Sequence, residues 1–165
     1  MSSSNMFLAA FFFLLPSLLH PAAASMPPDV VQDFLDAHNN VRKSHNLPLL
    51  KWDIKCENYA KWYSEQRSSD CAMVHSTGDF GECLFWGSGD QWKGSQAVEA
   101  WAAEKPYYDY KNNKCIDNQQ CLHYTQLVWK NTEGVGCYKG ICKGGDTYIT
   151  CEYYPHGNIL GSRPF

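Results

Sequence analysis

The sequence contains no Asn-x-Ser/Thr sequon, no Cys-x-x-Cys pair, no run of basic residues and, after residue 15, no long apolar segment. Each absence removes a class of protein. Without a sequon, N-glycosylation is not expected. Without Cys-x-x-Cys, a thiolate zinc site lacks its usual ligand spacing. Lys and Arg total 14 against 17 Asp and Glu, a formal charge of -3, and the longest basic cluster is Arg42 with Lys43. A phosphate-tracking protein carries a basic stripe, so nucleic acid is not an expected partner. Roughly 20 apolar residues are needed to cross a bilayer, and none of the chain beyond its first residues offers them, so no transmembrane segment is expected. A Gly-x-Ser-x-Gly elbow and an HExxH zinc helix are missing as well.

What is present is rich in aromatics and cysteine. Six Trp, ten Tyr and eight Phe in 165 residues supply enough apolar bulk for a core and exclude wholesale disorder. The length suggests one domain. Phe7 to Leu15 is an unbroken apolar run, broken by Pro16 and followed by Ala22, Ala23 and Ala24. This is the pattern of a secretory signal peptide over residues 1–24, leaving a mature chain of residues 25–165. All eight cysteines lie in that mature part. In a secreted chain an even count implies a disulfide framework, although eight cysteines allow 105 connectivities and spacing alone does not choose among them.

Pro27 and Pro28 precede Asp29, which with Gln32 three residues later can cap a helix whose apolar face carries Val31, Phe34, Leu35, His38 and Val41. Asp53 opens a second helix with Cys56, Tyr59, Ala60 and Tyr63 on one face. Residues 68–94 are loop-rich, with a short strand expected over Cys83 to Trp86. A third helix is expected from Ser95 to Glu104, ended by Pro106. Periodicity leaves His123 to Trp129 open between helix and strand. Gly134 to Tyr138 and Thr147 to Tyr153 read as strands. Helices early and strands late give a compact α+β domain.

Four segments then carry a resemblance: His38-Asn39-Asn40-Val41-Arg42, Gly81-Glu82, His123-Tyr124-Thr125-Gln126-Leu127-Val128-Trp129, and Cys151-Glu152-Tyr153-Tyr154-Pro155-His156-Gly157-Asn158. In this order they resemble the plant pathogenesis-related protein 1 (PR-1) group of the CAP superfamily. The resemblance implies a three-layer α-β-α sandwich around a three- or four-stranded antiparallel sheet. It implies the disulfides Cys71–Cys142, Cys115–Cys121 and Cys137–Cys151. Cys56 and Cys83 are left over, and a fourth bridge is expected between them. Each bridge would add roughly 2 to 4 kcal/mol.

The resemblance also implies a groove lined by His75, Glu82, Glu104 and His123. Imidazole nitrogens and carboxylate oxygens suit zinc or another divalent cation, and the same four groups suit a hydrogen-bonded network that needs no cofactor. Both readings stay open on the sequence. Ser76 beside His75 invites a Ser/His/Glu hydrolase, but adjacency in sequence is no sign of triad geometry. No catalytic residue is therefore assigned. His38, Asn39 and Arg42 read as structural hydrogen-bonders to loop backbone.

Two binding functions follow from the resemblance. Sterol or other lipid binding would use apolar crevices, for which Phe80, Phe85, Trp86, Trp92, Tyr107, Tyr108 and Tyr110 are the candidate aromatics. Residues 155–165 resemble a defence-signalling peptide released by a cut between Tyr154 and Pro155 and read by a protein receptor. Glu152 replaces the usual Asn before that cut, Phe165 replaces the usual final Tyr, Cys83 replaces the Asn after Glu82, and Leu122 stands where a small or charged residue is usual. The expectation is a secreted, monomeric, non-enzymatic defence protein of the apoplast rather than the vacuole, acting on fungal or oomycete lipids. The alternatives are a metal-dependent or serine-type hydrolase and a protein-interaction scaffold.

Overall fold

The computed structural model describes residues 25–165; the expected signal peptide lies outside the described residues. The elements run α1 (Pro28–Lys43), β1 (Lys51–Trp52), α2 (Ile54–Arg67), β2 (Gly81–Gly87), α3 (Gly94–Ala102), a 3-10 turn (Lys105–Tyr107), β3 (Tyr108–Asp109), β4 (Lys114–Cys115), α4 (Leu122–Leu127), β5 (Gly134–Ile141) and β6 (Thr147–Tyr154). No helix among the described residues is long and apolar enough to cross a membrane.

The main sheet has the order β1-β5-β6-β2. Its three long strands are antiparallel, while the two-residue β1 lies parallel to β5. Alternation then sorts side chains between two faces. Val135, Cys137, Ile149, Cys151, Tyr153 and Cys83 join Phe34, Val98, Trp101 and Leu127 in the main core, under α1, α3 and α4. The opposite face carries Gly136, Thr150, Glu152, Glu82 and Leu84 and is covered by α2. There the Ser64 hydroxyl meets the Thr150 hydroxyl at 2.9 Å. This is the α-β-α sandwich that the family resemblance implies.

Two glycines set how closely the layers approach. A Cβ on Gly136 would fall 2.1 Å from the Glu57 backbone nitrogen, so the first turn of α2 rests directly on the sheet backbone. A Cβ on Gly94 would fall 2.5 Å from the Phe34 ring, so α3 begins in contact with α1.

Local signals were met unevenly. Asp53 caps α2, its carboxylate accepting from the Lys55 and Cys56 backbone N–H groups. Asp29 does not cap α1: Pro28 already occupies the first turn, Pro27 stands at the cap, and Gln32 instead donates to Asp36. Proline fixes the helical φ and needs no amide partner there, so it displaces the side-chain cap. Residues 122–127 are helical, and α3 ends at Ala102 rather than Glu104.

Arg42 holds the layers together. Fully buried, it donates to the carbonyls of Pro48, Leu127, Trp129, Lys130 and Thr132. Asn39 pairs both ways with the Leu50 backbone. These are backbone groups of loops that sheet and helices leave unpaired, and a buried unpaired carbonyl is costly.

Three disulfides join Cys71 to Cys142, Cys115 to Cys121 and Cys137 to Cys151. The fourth expected bridge is absent: Cys56 and Cys83 are both free and buried. The sheet separates them. Cys83 is in register with Cys151 and points into the main core, whereas Cys56 sits on α2 against Gly136, on the other face. Burial, first, pushes the Cys56 thiol up to about 12, with Asp53 and Glu152 adding to it.

Candidate functional site

Edge strand β2 anchors the site. Glu82 is its second residue, with a side chain only 6% exposed, and it reaches back to His75 in the loop after α2. Glu82 Oε1 takes His75 Nδ1 at 2.6 Å and the Ser76 backbone N–H at 3.0 Å. Burial works to raise the Glu82 carboxyl, but the bonds from His75 and Ser76 outweigh it and hold the group below its ordinary value. The bond to Glu82 raises the His75 imidazole, whose side chain is 63% exposed.

Glu104 and His123 form a second dyad of the same design. Glu104 follows α3, and its Oε1 takes His123 Nδ1 at 2.6 Å. Its Oε2 accepts the backbone N–H groups of His123 and Tyr124, capping α4. The His123 ring stacks on Trp101 at 6.1 Å, and Trp101 donates to the Leu84 carbonyl of β2. Trp101 thereby covers part of the free edge of the sheet.

The structure pairs the four expected residues two by two. Among the described residues, no three of their ligand atoms lie within 4.8 Å of one another; the one such set is His38 with Cys137 and Cys151. The donor types suit a divalent ion, and with each carboxylate on its imidazole's Nδ1 each Nε2 is left available, an arrangement open to a hydrogen-bonded network and to an imidazole-held cation alike. Ser76 meets Glu82 through its backbone N–H, and among the described residues no bond joins its hydroxyl to His75.

Glu152 was not anticipated as a site residue. It is fully buried, faces Glu82 across the β2–β6 pair, and neither of its oxygens has a protein donor; Glu82 Oε2 is likewise unpartnered. Burial, then the Glu82 charge, pushes the Glu152 carboxyl up to about 10. One proton on Glu152 lets it donate to Glu82 Oε2, which leaves one Glu152 oxygen still without a partner. The sequence does hold the signal, a lone carboxylate inside the otherwise uncharged strand Thr147–Tyr154, but only the register reveals its partner.

The seven candidate lipid-binding aromatics do not converge. Phe85 and Trp92 meet edge to face at 5.2 Å. Tyr108 and Tyr110 meet at 6.2 Å, and Tyr110 stacks on Phe165 at 5.4 Å. Phe80 packs between Tyr59 and Tyr154, while Trp86 and Tyr107 are exposed. Phe85 and Trp86 are adjacent on β2 and so project to opposite faces. Two of these groups border clefts. One, of about 310 Å³ between α1 and the start of α3, is lined by Asp29, Val30, Asp33, Trp92, Lys93 and Lys139. Another, also about 310 Å³, lies between the Cys115–Cys121 ring and the chain end, with Tyr108, Leu122, Trp129 and Ile159 on its walls.

The chain end is pinned. Gly157 N–H donates to Gln126, Lys130 N–H to the Pro164 carbonyl, Asn113 to the Ser162 carbonyl, and Arg163 to the carbonyls of Tyr110 and Lys111. Tyr154, before the expected cut, ends a strand flanked by β5 and β2, and its carbonyl accepts the Glu133 N–H at 3.0 Å.

Comparison with known proteins matches residues 35–153 to the Cysteine-rich secretory protein family, CAP. The chain is 42% identical to pathogenesis-related protein PR-1 of Medicago truncatula, covering 95% of each. It is 40% identical to pathogenesis-related protein 1 of Arabidopsis thaliana, over 96% of this chain and 95% of that one. In structure it is similar to NaASP2, crystallised with Zn2+, at TM-score 0.69 and 23% identity over 86% of this chain and 87% of that one. Na-ASP-1 matches at TM-score 0.76 and 23% identity, over 90% of this chain but 44% of its own length.

Proposed function

The chain belongs to the cysteine-rich secretory protein (CAP) family and is PR-1-like, and from that premise we propose that it is a secreted, non-enzymatic plant defence protein that binds sterols or related lipids of fungi or oomycetes. The observation that carries this reading is the cleft between α1 and α3. Trp92, backed by Phe85, and Val30 give it an apolar wall, while Asp29, Asp33, Lys93 and Lys139 give it a charged rim. That pairing suits an amphiphile with an apolar body and one polar head, and the volume lies at the lower end of small-ligand sites. On this reading the two His–Glu dyads brace edge strand β2, and neither an ion nor a reaction is required of them.

A sterol titration of protein secreted from a eukaryotic host tests this. Saturable binding that Trp92→Ala weakens about tenfold supports it, a loss of about 1.4 kcal/mol. Binding unchanged in Trp92→Ala removes the cleft from the account.

Release of residues 155–165 to a protein receptor ranks second. A protease needs an extended, unpaired backbone, and the cut site sits at the end of an interior strand with its product side pinned. Release on this account requires the end of β6 to open first.

A further inference from the structure

Three sulfurs lie in one row across the sheet. Cys83 on β2 is in register with Cys151 on β6, and Cys151 with Cys137 on β5, so all three project to the same face. The Cys137 and Cys151 Cα atoms are 4.1 Å apart, the spacing of an antiparallel pair without mutual backbone hydrogen bonds. The Cys151 backbone therefore bonds toward β2, which makes Cys83 and Cys151 the hydrogen-bonded kind of pair, ordinarily about 5.5 Å apart at Cα. A disulfide spans roughly 4.4 to 6.8 Å between Cα atoms. Cys151 is the middle member, so Cys83 faces it from the side opposite Cys137, the direction from which one sulfur displaces another.

A hydrogen-bonded histidine and tyrosine sit beside the row. His38 Nδ1 lies 2.7 Å from the Phe34 carbonyl, which can only accept, so Nδ1 carries the ring proton and Nε2 is bare. Nε2 accepts the Tyr153 hydroxyl at 2.9 Å. Burial pushes the Cys83 thiol well above its ordinary value and drops the His38 imidazole to about 4, so neither is primed for proton transfer while the sheet is closed. His38 also lies within 4.8 Å of both sulfurs of the bridge.

We infer that Cys83 is placed to exchange into the neighbouring bridge, converting Cys137–Cys151 into Cys83–Cys151. The Cys83 thiol gives up its proton to solvent when β2 opens. The Cys83 thiolate attacks Cys151 Sγ, the Cys83–Cys151 bond forms and the Cys137–Cys151 bond breaks. Cys137 leaves as a thiolate and takes a proton from solvent. One thiol and one disulfide exist before and after, so no oxidant or reductant is consumed. The moved bridge ties β6 to β2, whose Glu82 adjoins Cys83, in place of β5. All three sulfurs are buried, so exchange is slow while β2 stays docked.

Cys137→Ser tests the inference. Protein secreted with this change, acid-quenched, alkylated without reduction and mapped, is expected to contain Cys83–Cys151, with Cys56 as its one free thiol. Cys83 and Cys151 both alkylated in folded Cys137→Ser overturns it. If that variant is not secreted, the unaltered protein is held at mildly alkaline pH and mapped over time. Labelled Cys137 appearing together with Cys83–Cys151, ahead of any bridge to Cys56, supports the site. Cys137 remaining unlabelled, or labelling only as Cys56 enters random bridges, refutes it.

Discussion

Replacing Glu152 by Gln is expected to stabilise the protein, and to do so more strongly as the pH rises. In the folded chain the Glu152 carboxyl is pushed up to about 10 by burial and by Glu82, against an ordinary value of 4.5. A group raised on folding keeps its proton in the native state after the unfolded chain has released it. Its contribution is therefore fully present below 4.5 and is lost as pH climbs toward 10. Each pH unit in that window costs about 1.4 kcal/mol, so at pH 7 the buried proton costs roughly 3 kcal/mol. Gln has nearly the same shape, carries an N–H that can donate to Glu82, and has no proton to lose. Denaturant unfolding of both proteins at pH 5, 6, 7 and 8 reads the difference. The account predicts curves that nearly meet at pH 5 and separate by about 1.4 kcal/mol per unit, with a Tm gain on the order of 10 °C at pH 7. A pH-independent difference, or a destabilised Gln variant, would refute the shared proton.

Three further outcomes follow from the same geometry. Arg42→Lys strands several buried carbonyls that the guanidinium now serves, and a loss of at least about 3 kcal/mol is expected in denaturant unfolding. Gly136→Ala places a methyl against the α2 backbone, where nothing can yield but the helix itself, so sharply reduced secretion is expected, and a normally folded variant would contradict the packing described. His75 is expected to titrate above ordinary histidine in an NMR pH series, and Glu82→Gln to return it toward that value, because the bond to Glu82 is what raises it.

The layers and most elements were legible because each rests on a local rule: Asp53 as a cap, Gly-rich turns, and period-two strands at 134–138 and 147–153. The structural duty of Arg42 and Asn39 was legible for a related reason, since long polar side chains on the buried face of a helix must find partners. What was not legible depends on register. Cys56 and Cys83 read as a leftover pair until β2 is laid beside β6, when Cys83 proves to share a face with Cys137 and Cys151 and to be screened from Cys56. Glu152 reads as a strand residue until the same register brings it opposite Glu82. The aromatic candidates scatter because β2 turns Phe85 inward and Trp86 outward, and because the chain end recruits Tyr110 to hold Phe165.

On the proposed function, a lipid is held in the α1–α3 cleft while the His–Glu dyads serve the fold. Sterol titrations run in parallel on the unaltered protein, Trp92→Ala and the His75→Ala, His123→Ala double variant test it most directly, with each variant first verified as folded. The account predicts saturable binding that weakens about tenfold in Trp92→Ala and is unchanged in the double variant. No saturable binding to the unaltered protein, or binding that follows the two histidines instead of Trp92, would contradict it.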